Sequence, residues 1–220
     1  MSDHSTLSSD APPAEAHDDA PRGISDVLMD IAATHEGPRM SVGALIDGLR
    51  DRAFGMVLLI LALPCAVPFL YGIPQAVSLP LLFVAVQIVI GRHRLWLPQR
   101  LRARGFSSAA FRDMVTRAAP YIRWIEVLSR PRLSGLSHGT SERIFGVFIA
   151  VFSLSIALPL PLTNTVPGIA IGIMALGFME RDGLMILAGT VLGSAWVAFL
   201  VAVASGAVHL IERAFAWLTG

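Results

Sequence analysis

Charged residues are scarce in the apolar parts of this chain, so those that border the apolar runs are the first candidates for chemistry. Glu180-Arg181-Asp182 lies between two uncharged runs, and Arg52 and Arg143 each open the same short pattern, Arg-x-Phe-Gly. Acidic and basic groups at such borders can relay protons or hold a phosphate. A solvated loop turned by Gly183 accounts for the triplet equally well, and snorkelling to a membrane interface accounts for the arginines. Thr163, Asn164 and Thr165 form a polar cluster within one proline-rich stretch, with Tyr71 and Gly72 as counterparts in another. These groups could line a ligand site inside a membrane, or they could cap broken helix ends.

Other chemistries find no support in the residue types. The six histidines are scattered without metal-ligand spacing, and no nucleophile elbow or phosphate loop is present. The single cysteine, Cys65, excludes a paired-cysteine site and reads as a small buried hydrophobe. No carboxylate pair falls inside an apolar run. The expectation is a non-enzyme with no cofactor and no metal.

Positioning of the candidate residues falls to a duplicated, proline-broken apolar unit. The first copy runs Arg52-Ala-Phe-Gly55, Pro64, Pro68, Pro74; the second runs Arg143-Ile-Phe-Gly146, Pro159, Pro161, Pro167. The last two prolines of each copy are six positions apart. So many prolines cannot sit within one regular helix, and broken backbone in hydrocarbon survives only under cover of protein or a wet cavity. Neither Pro68 to Pro74 nor Pro161 to Pro167 contains a charge, which favours hairpins with tips inside the membrane over loops at its far surface. With 54% hydrophobic and 15% charged residues, the expected fold is an all-α integral membrane protein: two proline-broken re-entrant helical hairpin repeats plus a C-terminal transmembrane helix.

The expected organisation is a disordered acidic tail over 1–22, amphipathic helices over 23–53, membrane repeat 1 over 54–91, a basic linker over 92–143, membrane repeat 2 over 144–180, and a terminal transmembrane helix and tail over 181–220. The tail lacks the basic start and apolar core of a signal peptide. Ser25 is placed as the cap of the first amphipathic helix, and a second is placed from Ser41 to Arg52. The linker holds eleven arginines against Asp113, Glu126 and Glu142, which marks it and the tail as cytoplasmic. Within it, Phe111, Val115, Ile122, Trp124 and Ile125 form one apolar face, expected at the membrane interface, with Arg112, Arg117 and Arg123 towards lipid phosphates. Membrane proximity already explains this basic zone, so nucleic acid is not expected as a partner. Arg50 and Arg52 place the start of the first copy on the same side, so that copy would cross an even number of times, whereas an inverted repeat requires an odd number; a crossing segment in the linker or parallel copies would remove the conflict. Gly189, Gly193, Ser194 and Ala195 offer a small-residue face for a homo-oligomer or for packing within the chain.

Several of these stretches also carry a family resemblance. Gly37-Pro-Arg-Met-Ser-Val-Gly-Ala-Leu-Ile, Arg52-Ala-Phe-Gly55, Leu63-Pro-Cys-Ala-Val-Pro68, Gly91-Arg-His-Arg-Leu-Trp-Leu-Pro98, Leu158-Pro-Leu-Pro-Leu-Thr-Asn-Thr-Val-Pro167 and Met179-Glu-Arg-Asp-Gly183 resemble the ExoD family. The resemblance spans about residues 25 to 210 and implies a multi-pass protein of the bacterial inner membrane that supports exopolysaccharide biosynthesis. The hairpin arrangement is also similar to proteins of the DedA type, by analogy of architecture. On this basis the chain is expected to translocate a lipid-linked intermediate, a lipid carrier or an ion. The alternative is a non-catalytic partner or regulator of a polysaccharide synthase or export complex. A membrane lipid or lipid-linked saccharide would engage Arg52, Tyr71, Gly72, Arg143, Thr163, Asn164, Glu180, Arg181 and Asp182.

Overall fold

The computed structural model describes residues 23–35, 37–68, 70, 72–128, 140–158 and 163–219. Tyr71, Pro159, Pro161 and the acidic tail lie outside them. The elements in chain order are α1 (Ile24–Thr34), β1 (Arg39–Ser41), α2 (Val42–Leu49), a 3-10 turn (Arg50–Arg52), α3 (Ala53–Ala66), α4 (Ile73–Ile90), α5 (Gln99–Arg102), β2 (Gly105–Ser107), α6 (Ser108–Leu128), α7 (Thr140–Ala157), α8 (Thr165–Glu180) and α9 (Gly183–Thr219). Among the described residues the fold is all-helical apart from one short antiparallel ribbon, in which Met40 pairs with Phe106.

Both uncharged stretches fold as helical hairpins, α3–α4 and α7–α8. Their packing is reciprocal: α3 lies chiefly against α8, and α4 against α7. The glycine of each Arg-x-Phe-Gly pattern marks one of these close approaches. A Cβ on Gly55 would stand 2.5 Å from Met179 Cγ near the end of α8, and one on Gly146 would stand 2.9 Å from Ile88 Cγ2 near the end of α4. At the opposite end, Pro74 and Pro167 sit in the first turns of α4 and α8, fully buried. The first turn tolerates proline because its N–H would lack a helical partner in any case. Pro64 departs from expectation. It lies inside α3, which continues to Ala66 before breaking; a proline one turn from a helix end forfeits a single bond there without redirecting the chain.

The starts of α3 and α7 and the ends of α4 and α8 border one cavity. The two hairpins therefore run parallel, each beginning and ending at the same end of the bundle, here called the base. This removes the conflict between an inverted repeat and arginines before both copies. Leu58, Leu81, Ile149, Phe152, Ile171, Met174 and Ile186 fill the core, while Ile60, Leu79, Phe83, Val86, Val147, Val151 and Leu154 face outward. Two helices, Ile73–Ile90 and Gly183–Trp217, are long and apolar enough to cross a membrane, and α8 is a shorter apolar helix.

A small amphipathic assembly joins the base. α2 starts at Ser41, whose Oγ accepts the Ala44 N–H at 3.1 Å. Ser25 makes no such cap; α1 begins after Gly23, and Ser25 is buried within its first turn. The apolar face of α6 is likewise used differently. Phe111 and Val115 are buried within the core that includes Ile24, Leu28 and Ala32 of α1, so α1 covers the face that the sequence directed to the interface. Arg112 secures this pair by donating from Nε and Nη2 to the Ala32 carbonyl at 3.2 and 3.0 Å, which satisfies an acceptor in the last turn of α1.

Candidate functional site

The base is shaped by how α4 and α8 end. α4 closes on Gly91 in the left-handed conformation, with Gly91 N–H donating to the Ile88 carbonyl and Arg92 N–H to that of Gln87. α8 closes the same way on Arg181, φ +54°, with Asp182 N–H donating to the Gly177 carbonyl at 2.9 Å. This is the usual satisfaction of terminal carbonyls, but a side chain in that conformation costs about 1–2 kcal/mol, so Arg181 is held there against its preference. Its guanidinium meets Asp51 at 3.2 Å, linking the end of α8 to the turn before α3.

Gln87 fixes the segment after α4. It is buried, its Oε1 accepts Trp96 N–H at 2.8 Å, and its Nε2 donates to the Trp96 carbonyl at 3.2 Å. The chain is thus folded back so that Arg92 and His93 stay beside the helix ends.

Between these ends lies a cavity of about 200 Å³. Asp51 and Phe54 line it from the start of α3, and Glu142 and Arg143 from the start of α7. The end of α4 gives Gly91, Arg92 and His93, and the end of α8 gives Phe178 and Arg181. The Arg143 guanidinium rests on Gly91: a Cβ there would be 2.6 Å from both Nε and Nη2. A second cavity of about 670 Å³ shares Asp51 and His93 and adds Arg50, Arg94 and Arg102. Across both, six arginines and a histidine face Asp47, Asp51 and Glu142. Asp51 is engaged by Arg181 at 3.2 Å and Asp47 by Arg102 at 2.6 Å. The balance is cationic, and forked guanidiniums suit bidentate binding of phosphate or carboxylate. Among the described residues no group of His, Cys, Asp and Glu is arranged to hold a metal.

The residues singled out from the sequence divide between the two ends of the bundle. Arg143 and Arg181 line the base cavity. Arg52, Glu180 and Asp182 are at the same end without lining it. Asp182 starts α9, its Oδ1 accepting the N–H groups of Leu184 and Met185 at 2.9 and 3.3 Å. Gly72, Thr163 and Asn164 belong to the tip end. Gly72 has φ +81° and donates its N–H to Gln75 Oε1 at 2.9 Å; Asn164 stands at the N-cap of α8, but its side chain makes no cap bond. Asp51, Glu142 and Gln87 were not among the candidates read from the sequence. The first two had a visible signal, since each immediately precedes the arginine of a repeat: Asp51-Arg-Ala-Phe-Gly and Glu142-Arg-Ile-Phe-Gly. Gln87 had none, being one amide in an apolar helix.

The family described as "Exopolysaccharide synthesis, ExoD" matches residues 24–202. The chain is 28% identical over 190 residues to the Synechocystis sp. protein slr1875, covering 83% of this chain and 89% of that one. It is 28% identical over 176 residues to "Protein ExoD" of Rhizobium meliloti, covering 78% and 73% respectively. No solved structure matches.

Proposed function

The chain belongs to the ExoD family, whose members serve exopolysaccharide synthesis, and from that premise we propose that it binds the phosphate-bearing head of a lipid-linked intermediate or lipid carrier at its base and carries it between the paired hairpins. The observation that carries this reading is the convergence of four helix ends, each drawn from an otherwise uncharged helical segment, on one arginine-lined cavity. Phe54, Ile88 and Phe178 share that wall with the arginines, so the same cavity offers apolar surface for the first part of a lipid tail.

We take the two hairpins as a duplicated unit set re-entrantly in the bacterial inner membrane, with the basic linker cytoplasmic. α9 serves as a ruler. Trp196, whose Nε1 donates to the Thr163 carbonyl at 3.2 Å, stands about 20 Å along α9 from Gly183. The uncharged part of α9 runs on to Ile211, about 43 Å in all, against a hydrocarbon core of about 30 Å. With the base at one interface, the tips fall short of the other. Exposed Val67 and Leu158 near the tips, and the absence of charge from 53 to 90 and from 144 to 179, fit that depth.

The test is a flip assay in vesicles holding the full chain and a fluorescent polyprenyl phosphate, with an impermeant quencher outside. Accelerated loss of the protected fraction, slowed by Arg143→Gln, is the expected result. Rates equal to empty vesicles would sink translocation and favour the non-catalytic partner reading. The described side chains from Val201 to Trp217 of α9, all exposed, give that reading its own support as a surface for a synthase subunit.

A further inference from the structure

The tip ends of the two hairpins are unequal. In the first, the polar groups satisfy one another: Gly72 N–H donates to Gln75 Oε1 at 2.9 Å, and buried Ser78 donates from Oγ to the Gln75 carbonyl at 2.7 Å. In the second, Ser155 Oγ and Asn164 Oδ1 are buried and have no hydrogen-bond partner among the described residues, and the same holds for Ser194 Oγ of α9. Asn164 is 7% exposed and Ser155 9%.

These three oxygens come from α7, from the residue that precedes α8, and from α9, and those helices pack on one another. The Phe152 ring, one turn before Ser155 in α7, lies against Gly193, the neighbour of Ser194. Trp196, two residues beyond Ser194, is bonded to Thr163, the neighbour of Asn164. Each unmet buried polar group costs about 1–3 kcal/mol, and in a bundle with an apolar exterior no bulk solvent lies alongside to meet it. Three such groups, on helices that pack together where α7 ends and α8 begins, describe a place built for a guest.

The donor chemistry selects that guest. All three atoms are neutral oxygens with lone pairs, suited to a cation. No carboxylate joins them, which disfavours calcium and magnesium. The last turn of α7 adds the negative end of its dipole, and interrupted helices with exposed carbonyl ends are a recurrent setting for sodium in membrane proteins. We propose that Ser155, Asn164 and Ser194 form a site for a single sodium ion at the tip of the second hairpin. The site does not depend on what the base cavity binds.

The test uses the purified full chain in detergent, with thermal unfolding followed at constant ionic strength in mixtures of sodium and choline chloride. A sodium-dependent, saturating rise of the midpoint is expected, about 3–6 °C at ten times the dissociation constant. Asn164→Ala should abolish the rise, and Asn164→Asp should strengthen it by adding a charge to the ligand set. Ser194→Ala, at a less buried position, should shift the titration to higher sodium without loss of fold, and keeps the test open if Asn164→Ala fails to fold. Equal midpoints in sodium and choline, meaning buried water alone, would overturn the site. So would an undiminished sodium response in the Asn164 and Ser194 variants.

Discussion

Replacing Gly91 with alanine should weaken anion binding at the base through Arg143, a residue 52 positions away in sequence. Two effects separate cleanly. The left-handed backbone, φ +78°, disfavours alanine by about 1–2 kcal/mol whatever surrounds it. The new Cβ would also stand 2.6 Å from Arg143 Nε and Nη2. Those atoms end a flexible, exposed side chain, so the guanidinium will swing aside and leave the helix end intact. Loss of one charge-assisted contact to a phosphate is worth about 1.5–3 kcal/mol, or on the order of ten- to a hundredfold in affinity. The assay is a double-mutant cycle on purified protein, with calorimetric titration of an isoprenyl phosphate and thermal unfolding measured in parallel. Gly91→Ala and Arg143→Ala should each weaken binding, and the double variant should bind no worse than Arg143→Ala alone. The loss of stability, in contrast, should be the same in both backgrounds. If Gly91→Ala weakens binding as strongly without Arg143 as with it, the proposed positioning of the guanidinium by a bare Cα is refuted.

Three further outcomes follow from the same geometry. Arg181→Gly relieves a strained left-handed residue while deleting a cation; stability in thermal unfolding should hold or rise by about 1 kcal/mol, since the exposed pair with Asp51 contributes little, yet isoprenyl phosphate binding should fall at least tenfold. Gly55→Ala places a Cβ 2.7 Å from the Ala175 carbonyl, so overpacking of about 1–3 kcal/mol should outweigh the roughly 1 kcal/mol gain in helix propensity and lower the unfolding midpoint; a higher midpoint would contradict the α3–α8 contact. Asp182→Ala removes the cap of α9 and should cost about 1–2 kcal/mol, restored by Asp182→Asn, as read from the same melts.

The hairpins were legible because proline and charge speak locally. An uncharged run interrupted by Pro68 and Pro74 must turn, and the structure turns it there. Pro64 misled because the penalty of proline depends on how much helix follows, which spacing alone does not disclose. The direction of the second hairpin was beyond local signals as well; it follows from the close approaches of Gly55 to α8 and Gly146 to α4, which are long-range facts. The ribbon of Arg39–Ser41 with Gly105–Ser107 was missed for a similar reason: three-residue strands have too little periodicity to register, and their partner is far along the chain. The apolar face of α6 was recognised correctly as a face, but a stripe of Phe111 and Val115 cannot say whether lipid or another helix will cover it. At the base, the acidic residues Asp51 and Glu142 before Arg52 and Arg143 were in plain view, and only their meeting at one cavity gives them meaning.

The contrast between the ends of the bundle suggests how two such hairpins would divide their labour. At the base both units keep the same device, an acid-arginine pair before Phe-Gly and a left-handed end on the following helix, so each presents cations to a shared cavity. A headgroup there meets arginines from either side, Arg92 from the first unit and Arg143 and Arg181 from the second, and the apolar floor of Phe54 and Phe178 also comes from both units. At the tips the units differ. The first closes its polar groups on itself through Gln75, whereas the second leaves Ser155 and Asn164 open beside Ser194 of α9. α9 packs on the second hairpin and has no major contact with the first, so it is the element that breaks the equivalence. An ion held where α9 meets the second tip would stiffen one hairpin alone. Because that tip and the base are joined through α7 and α8, sodium bound at one end would bias how readily Glu142, Arg143 and Arg181 rearrange at the other. Reciprocity then requires that an isoprenyl phosphate bound at the base raise the apparent sodium affinity at the tip by the same factor that sodium raises its own, and an unchanged sodium titration in saturating isoprenyl phosphate would show the two ends to be independent.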